Sequence, residues 1–254
     1  MKKNAILGLL AALSLAAGGS WAAPRPPSYA LRLPQDETIY FAMVDRFANG
    51  DPTNDDAHTP GGPLVNGFDP TRINFYQGGD LKGLTEKLPY IQHLGATAIW
   101  VSPIFRNKWI HNWRGQPSAS YHGYWITDFT DVDPHFGTKA DFKRLVEAAH
   151  ARGMKVYLDI VINHTADIIR YRECPHAPCP YRSEAEYPYD RKGGVNGPPI
   201  NQGFLGDDAA HQTDANFARL VSPDYAYTPY IPAGEAHIKK PDWLNDVRLY
   251  HNRG

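Results

Sequence analysis

Residues 156–165 read VYLDIVINHT, an apolar run that contains one acidic side chain and ends in polar residues. Asp159 lies within the run, and Asn163 and His164 close it. A buried carboxylate costs several kcal/mol unless it is paired or hydrogen-bonded. We therefore expect Asp159 to be buried in a strand beside an arginine from another strand, and a neutral His164 to donate to a ligand hydroxyl. The spacing alone leaves open a purely structural Asp–Arg pair with a capping histidine.

Residues 49–55 read NGDPTND and carry a second group of oxygen-bearing side chains. Gly50 and Pro52 force a turn there, and the side chains that it gathers are Asn49, Asp51, Asn54 and Asp55. A hard cation such as Ca2+ takes about six to eight oxygen ligands from carboxylates, amides and carbonyls. The segment therefore predicts a calcium site, although clusters of Asn, Asp, Gly and Pro also form plain turns.

Residues 121–125 read YHGYW and place aromatic rings and a histidine around a glycine. Such a group could form a stacking wall for a ring-shaped ligand. The same residues could equally serve to pack a loop.

Three apolar runs predict the strands that would position these groups, over residues 39–47, 98–104 and 155–162. Each run is nearly continuous in its apolar character and does not alternate. This pattern is typical of strands that are buried on both faces of a parallel sheet.

Two helices are predicted between these strands. The first begins after Asp80, ends at Gly95 and is kinked or divided by Pro89; its apolar face consists of Leu81, Leu84, Leu88, Ile91 and Leu94. The second begins after Thr138, with Asp141 completing a near capping box, and ends at Gly153. The order β-α-β-α-β predicts an α/β fold with a parallel sheet, in which the long loops after the strands build the active face.

Residues 165–254 show no clear periodicity and are rich in Pro, Gly, Tyr, Asn and Asp. Loops of that length without their own fold are uncommon. We therefore expect an irregular domain that is inserted after the third strand.

Residues 1–22 predict a secretory signal peptide, because two lysines precede a short apolar run and a small-x-small site follows it. A membrane anchor is the alternative, but the run is shorter than the about 20 residues that a bilayer requires. Residues 23–36 form a Pro-rich lead-in. We expect a secreted or periplasmic protein with no membrane association after cleavage. The net charge of −1, without long charged blocks, argues against nucleic-acid partners.

The chain contains two cysteines, Cys174 and Cys179, within the segment CPHAPC. In an exported protein this spacing favours a local disulfide. A metal site formed by the pair with His176 would need a fourth ligand from elsewhere.

Five motifs, in this order, resemble the N-terminal part of the α-amylase superfamily, glycoside hydrolase family 13. They are GGDLKGL (78–84), LGATAIWVSPIF (94–105), YHGYW (121–125), FGTKADFKRLVEAAHARGMKV (136–156) and DIVINH (159–164). The resemblance implies a partial (β/α)8 TIM barrel: residues 37–164 would supply its first three β/α units, and residues 165–254 would correspond to the family's inserted domain B.

The resemblance also implies roles for individual residues. Asp159 would support the active centre, paired with an arginine from later in the barrel. His164 would bind sugar hydroxyls, Tyr124 would stack on the sugar at the cleavage site, and His122 would line that subsite. The partner would be an α-glucan, and we expect a monomer.

Two calcium sites follow from the same resemblance. Asn163 would bind the ion between the barrel and the inserted domain. The NGDPTND loop is similar to a second site found in cyclodextrin glucanotransferases and some amylases. Its ligands would be Asn49, Asp51, Asn54, Asp55, Asp80 and the carbonyl of Gly78.

Retaining cleavage of a glycosidic bond requires a nucleophile and an acid/base, two carboxylates about 5 Å apart. In the family these follow later strands, and no segment of that kind occurs up to Gly254. We therefore expect both carboxylates beyond Gly254 and assign neither role within residues 1–254. We interpret the sequence as part of an enzyme that cleaves α-1,4-glucosidic bonds, and we expect the 254-residue chain alone to be inactive.

Three alternatives stay open. One is a transglycosidase similar to cyclodextrin glucanotransferase. The next is a short product that binds sugar or calcium without catalysis. The last is a different barrel enzyme on the same scaffold, because a fold alone does not determine function.

Overall fold

The structure is a computed structural model that describes residues 28–113, 115–175 and 178–254. The predicted signal peptide lies outside the described residues, and so does His176. Within the described part, nine strands are present: β1 (Ile39–Ala42), β2 (Ala98–Val101), β3 (Phe105–Asn107), β4 (Ile110–Trp113), β5 (Gln116–Ala119), β6 (Ile126–Val132), β7 (Lys155–Leu158), β8 (Arg170–Tyr171) and β9 (Pro229–Tyr230). The α-helices of the same residues are α1 (Pro63–Asn66), α2 (Leu81–Glu86), α3 (Leu88–His93), α4 (Lys139–Ala151) and α5 (Asp214–Phe217).

The central sheet contains three parallel strands in the order β1-β2-β7. Phe41, Trp100 and Tyr157 are register partners across it. The predicted parallel sheet is therefore confirmed, and the fold is α/β. The finer assignment to three units of a (β/α)8 barrel stays a prediction.

The predicted strands have the right positions but are too long, and this part of the prediction is wrong. After β1 the chain turns into a 3-10 segment at Val44–Arg46. After β2, Pro103 cannot donate to a ladder, because it has no amide hydrogen. β7 therefore loses its neighbour beyond Leu158, and Asp159 follows the strand instead of lying inside it.

Both helix predictions are confirmed at their N-termini. The Asp80 side chain accepts a hydrogen bond from the Gly83 amide, and α2 and α3 are separate helices on either side of Lys87, as Pro89 predicts. Thr138 and Asp141 form a complete capping box at the start of α4. Leu94, which we placed on the buried face of the first helix, is 54% exposed because α3 ends before it.

Two hairpin-like pairs occupy the long segment between β2 and α4. β3 pairs with β6, and β4 pairs with β5, both antiparallel. The sequence pattern did not predict these strands. They matter because they carry the segment YHGYW to the carboxyl end of the central sheet.

The main core packs α2, α3 and α4 against the sheet. Its fully buried side chains include Leu81, Leu84, Leu88, Ile91, Ile99, Val101 and Leu145. Removing such apolar surface from water is the chief favourable term in folding. The opposite face of the sheet is more open, since Ile39, Phe41 and Trp100 are each nearly half exposed.

Residues 165–254 contain only short elements and a second, smaller core. That core consists of Cys179, Tyr189, Phe204, Leu220, Tyr225, Ala226 and Tyr227. It lies apart in sequence from the first core, which agrees with a separate packing unit. The domain boundary at residue 165 stays a prediction. No helix among the described residues has the length and apolar character to cross a bilayer.

The capping box of α4 yields a first prediction. Thr138→Ala should lower the free energy of unfolding by about 1 kcal/mol, because it leaves an amide of the first turn without its acceptor. Thr138→Ser keeps that acceptor and should be nearly neutral. Urea unfolding of both variants would check this, and equal midpoints for Thr138→Ala and the wild type would contradict it.

Candidate functional site

Asp159 lies at the carboxyl end of β7, where its backbone amide donates to the carbonyl of Val101 at 2.9 Å. Its side chain is partly exposed and accepts a hydrogen bond from the hydroxyl of Tyr124 at 3.0 Å. None of the ion pairs among the described residues includes Asp159. The arginine partner, which the resemblance places later in the barrel, stays a prediction; within the described residues a tyrosine hydroxyl from the YHGYW loop reaches the carboxylate.

The hydrogen bond joins two parts of the chain that are 35 residues apart. Burial raises the pKa of the Tyr124 hydroxyl, and the neighbouring Asp159 carboxylate raises it further. Tyr124 is therefore neutral and keeps the proton that it donates. The ring is fixed at one end, and its face is left to contact other groups.

His122 lies beside this tyrosine. Its Nδ1 accepts a hydrogen bond from the backbone amide of Tyr124 at 3.0 Å, and the two rings are stacked with centroids 5.7 Å apart. Burial, followed by the charge of Arg46, lowers the pKa of His122 to about 4. The imidazole is therefore neutral at physiological pH. Because Nδ1 is an acceptor, the ring proton is on Nε2.

Only glycine fits at position 123, between His122 and Tyr124. Its φ is +85°, and a β-carbon there would lie 2.0 Å from the carbonyl oxygen of Pro103. The YHGYW loop thus packs directly on the backbone that follows β2. This close approach sets the height of His122 and Tyr124 above the end of the sheet.

His164 is exposed, and its Nε2 lies 3.1 Å from the carbonyl oxygen of Tyr124. It does not cap the strand, since five residues lie between it and the end of β7. Four predicted residues are thus brought together: Asp159, Tyr124, His122 and His164. Beside Asp159 the open face of the sheet forms a hollow of about 380 Å3, lined also by Ile39, Trp100, Tyr157, Leu158 and Ile160.

The NGDPTND loop is shaped by Asp80, which is fully buried. One carboxylate oxygen of Asp80 accepts from the amides of Gly50 and Asp51 at 3.1 and 2.7 Å, and the other caps α2. Asn49 donates to Asp55 at 2.7 Å. A β-carbon on Gly78 would lie 2.7 Å from both of those side chains. The structure thus brings Asn49, Asp55 and Gly78 together, with Asp51 held by Asp80.

Two observations fit a cation at this loop. Oδ1 of Asn54 is buried and has no hydrogen-bond partner. Burial raises the pKa of Asp55, and the nearby carboxylates of Asp80 and Asp56 raise it further. A bound cation would coordinate the first oxygen and relieve the crowding of negative charge at the second.

The structure gives less support to the second predicted calcium site, at Asn163. Asn163 is exposed, and it makes no hydrogen bond among the described residues. Likewise, no group of three or more His, Cys, Asp or Glu side chains in that part of the chain is arranged to hold a metal ion. A site at Asn163 therefore stays a prediction.

A second hollow, of about 550 Å3, lies away from Asp159. It is lined by the NGDPTND loop on one side and by the first turn of α4 on the other. Its size alone does not make it the functional site, because His122, Tyr124 and His164 do not line it.

The two cysteines are joined by a disulfide with Cα atoms 5.5 Å apart. This bond closes a short loop in the second core and lies outside the group around Asp159. The described residues contain no free cysteine.

Gly254 is the residue beyond which we expect the nucleophile and the acid/base, and it is not itself a site residue. It is exposed, with a φ of +109°, and a β-carbon there would lie 2.7 Å from the carbonyl oxygen of Pro180. This contact places Gly254 beside the second core and outside the group around Asp159. The position of the two catalytic carboxylates stays a prediction.

Sequence reasoning missed two buried polar groups. Asp45 and Arg46 fall within the predicted first strand, and burial raises the pKa of Asp45 to about 6. Asp133 pairs with His135 at 2.8 Å, and the His135 ring stacks on Tyr76. Asp45 and Arg46, like Asp159, are charged residues inside an apolar run of the sequence. The same reasoning could therefore have identified them.

The arrangement suits recognition of a hydroxylated ring. It offers one flat aromatic face, one half-exposed carboxylate and two imidazoles within a short distance. A neutral imidazole and a carboxylate bind hydroxyl groups as donor and acceptor, respectively.

The low pKa of His122 yields a second prediction. Between about pH 6.5 and pH 4 the unfolded chain protonates this histidine and the folded chain does not, so stability falls as the pH falls. His122→Gln should flatten that slope. His93→Gln, at an exposed histidine of α3, should leave the slope unchanged. Urea unfolding across this pH range measures both, and an equal slope in wild type and His122→Gln would contradict the interpretation.

Comparisons with known proteins match the part of the chain that contains these site residues. A family model described as the alpha amylase catalytic domain matches residues 41–207. An alpha-amylase of Streptomyces lividans is 48% identical over 191 residues, which are 75% of this chain and 20% of that protein. A periplasmic alpha-amylase of Escherichia coli (strain K12) is 43% identical over 134 residues, or 50% of this chain and 19% of that protein.

A cyclomaltodextrin glucanotransferase of Klebsiella oxytoca is 41% identical over 131 residues, covering 51% of this chain and 19% of that protein. The chain spans about a fifth of the length of these relatives. The matched model covers more than half of the chain, and it includes the second half of β1, all of β2 and β7, and the group around Asp159. The resemblance of the five motifs is confirmed, and the chain belongs to the alpha-amylase family.

Proposed function

We propose that this protein acts on α-glucans by retaining cleavage of α-1,4-glucosidic bonds, and that the group around Asp159 binds the sugar at the cleavage site. The observation that carries the proposal is the hydrogen bond between Tyr124 and Asp159. It holds an aromatic ring over the carboxyl end of the sheet, which is the face where (β/α)8 enzymes build their active sites.

In this proposal the chain's own residues bind and orient the substrate. Tyr124 stacks on the sugar ring, His122 donates a hydrogen bond to one sugar hydroxyl, and His164 binds another. Asp159 fixes Tyr124 and accepts from the ligand with its remaining oxygen. The described residues include no pair that we assign as nucleophile and acid/base, and we propose that both lie beyond Gly254.

Hydrolysis is the first candidate reaction, and transglycosylation is the second. The relatives named above include both amylases and a cyclomaltodextrin glucanotransferase. Both reactions begin with the same glycosyl transfer from the substrate, so the binding residues proposed here serve either one. A purely sugar-binding product is the third candidate.

We also propose export to the periplasm or the medium. The predicted signal peptide over residues 1–22 supports it, and one relative is described as periplasmic. Residues 165–254 would form the inserted domain, with the Cys174–Cys179 disulfide formed in an oxidising compartment. We propose a monomer.

Calcium is proposed as a structural ion at the NGDPTND loop. Its ligands would be Asn49, Asp51, Asn54, Asp55, Asp80 and the carbonyl of Gly78. The unpartnered oxygen of Asn54 supports this site most directly. The ion would neutralise clustered carboxylates and hold the loop against α2. A second ion at Asn163 rests on the family resemblance alone.

Glucan binding yields a third prediction. The 254-residue chain should bind maltoheptaose, and Tyr124→Ala should weaken binding about tenfold because the stacking face is lost. Isothermal titration calorimetry measures both affinities. Tyr181→Ala removes an exposed aromatic ring from the 165–254 segment and serves as the control. Equal losses in the two variants would contradict the assignment of Tyr124.

Calcium binding yields a fourth prediction. Calcium at about a hundredfold above its Kd should raise Tm by roughly 5–10 °C relative to excess chelator. Asn54→Ala should abolish most of this shift. Asn163→Ala, at the other predicted site, distinguishes the contributions of the two sites to the shift. Differential scanning fluorimetry with Mg2+ as the control ion measures the effect. An unchanged melting curve in chelator would argue against calcium at either site.

A further inference from the structure

Arg46 lies behind the aromatic wall and is held by several contacts. Its Nη2 donates to the carbonyls of Ile73 and Phe75 at 2.7 and 2.9 Å, and its Nε donates to Asp45 at 2.6 Å. These contacts fix the plane of the guanidinium. One face of that plane is then free to contact a ring.

That ring is Tyr121. The Cζ atom of Arg46 lies 3.7 Å from its centroid, which is a close cation–π contact. Tyr121 and His122 form a T-shaped contact, with centroids 5.2 Å apart and planes at 72°. The guanidinium therefore acts on His122 both through an intervening ring and through its charge.

Arg46 is the charged group whose field lowers the pKa of His122, in addition to burial. Tyr121, Tyr124 and Trp125 pack against the imidazole, and Asp159 lies behind Tyr124. Tyr124 is neutral and its hydroxyl is directed at Asp159. A positive charge in this position disfavours a second positive charge on the imidazole.

We propose that Arg46 is a positioning residue for His122: its guanidinium holds Tyr121 against the imidazole, and its positive charge adds to the effect of burial on that ring, whose proton is on Nε2. The Tyr124 amide occupies Nδ1, so the only remaining polar group of the ring is a donor. The Nε2–H would then serve a ligand hydroxyl. This last step rests on the proposed function.

A purely structural role for Arg46 predicts something different. Its contacts with Ile73, Phe75 and Asp45 also tie the segment after β1 to the loop before α2. If those contacts were its whole contribution, its removal would lower stability but leave the protonation of His122 unchanged. The two roles are therefore separated by a measurement on the imidazole itself.

The test is a 15N NMR titration of the histidine rings in the 254-residue chain, with His122 identified by the signal that His122→Gln lacks. In the wild type, the His122 ring should stay neutral at pH 6, with the proton on Nε2. In Arg46→Met, the titration midpoint should rise. Arg46→Lys keeps the charge and should hold the midpoint near the wild-type value. Arg72→Met removes a cation that lies over Phe75, on an exposed side chain, and should change nothing.

Affinity for maltoheptaose gives the second readout. Arg46→Met should bind about five- to tenfold more weakly than wild type, and Arg46→Lys should lose affinity through the missing planar contact with Tyr121. A His122 midpoint and tautomer that are unchanged in Arg46→Met would overturn the inference, whatever the affinity. If Arg46→Met does not fold, a raised midpoint in folded Arg46→Lys would overturn it as well. Absence of maltoheptaose binding in the wild type would count against the proposed function alone, because the titration needs no ligand.

Discussion

The parallel pairing of β1, β2 and β7 is the constraint on which the rest of the structure depends. Parallel strands place their carboxyl ends at one edge of the sheet, so the residues that follow Ala42, Val101 and Leu158 meet there. Backbone hydrogen bonds continue the pairing one step further, from Ser102 to Ala42 and from Asp159 to Val101. The polar chemistry of the chain begins at that step. A carboxylate just past a strand keeps part of its hydration, and it therefore avoids the cost of burial within the sheet.

The partner of Asp159 shows how the sheet and the loops cooperate. The Tyr124 hydroxyl satisfies one oxygen of the carboxylate and leaves its charge in place. Tyr124 can reach it because Gly123 lets the loop lie against Pro103. The same loop conformation directs the Tyr124 amide to His122 and places His164 against the Tyr124 carbonyl. One short loop thus sets the relative positions of a carboxylate, an aromatic ring and two imidazoles, and a single glycine allows it.

Local rules predicted much of this architecture. The caps at Asp80 and Thr138, the division at Pro89 and the parallel sheet all follow from the residues within a few positions of each element, and the structure confirms them. The failures involve partners that are distant in sequence. The pairing of β3 with β6 joins residues about 20 positions apart and leaves no periodic signal. The Tyr124–Asp159 hydrogen bond spans 35 residues, so residue type alone did not predict it. The predicted strand ends were wrong because a strand ends where its neighbour stops pairing with it. An apolar run in the sequence indicates only which residues are buried.

Structural polar groups differ from the candidate functional ones in how completely the protein satisfies their hydrogen-bond acceptors. Asp45 and Asp133 are almost fully buried, and each accepts hydrogen bonds from backbone amides. Their oxygens are occupied by the protein itself, as buried acceptors must be. Asp159 differs because it is partly exposed and has one described partner, and Asn54 differs because its buried oxygen has none. Incomplete satisfaction at these two positions supports the two ligands proposed above, a sugar and a cation. The acceptor at the open sheet edge fits a sugar hydroxyl, and the enclosed amide oxygen fits a cation.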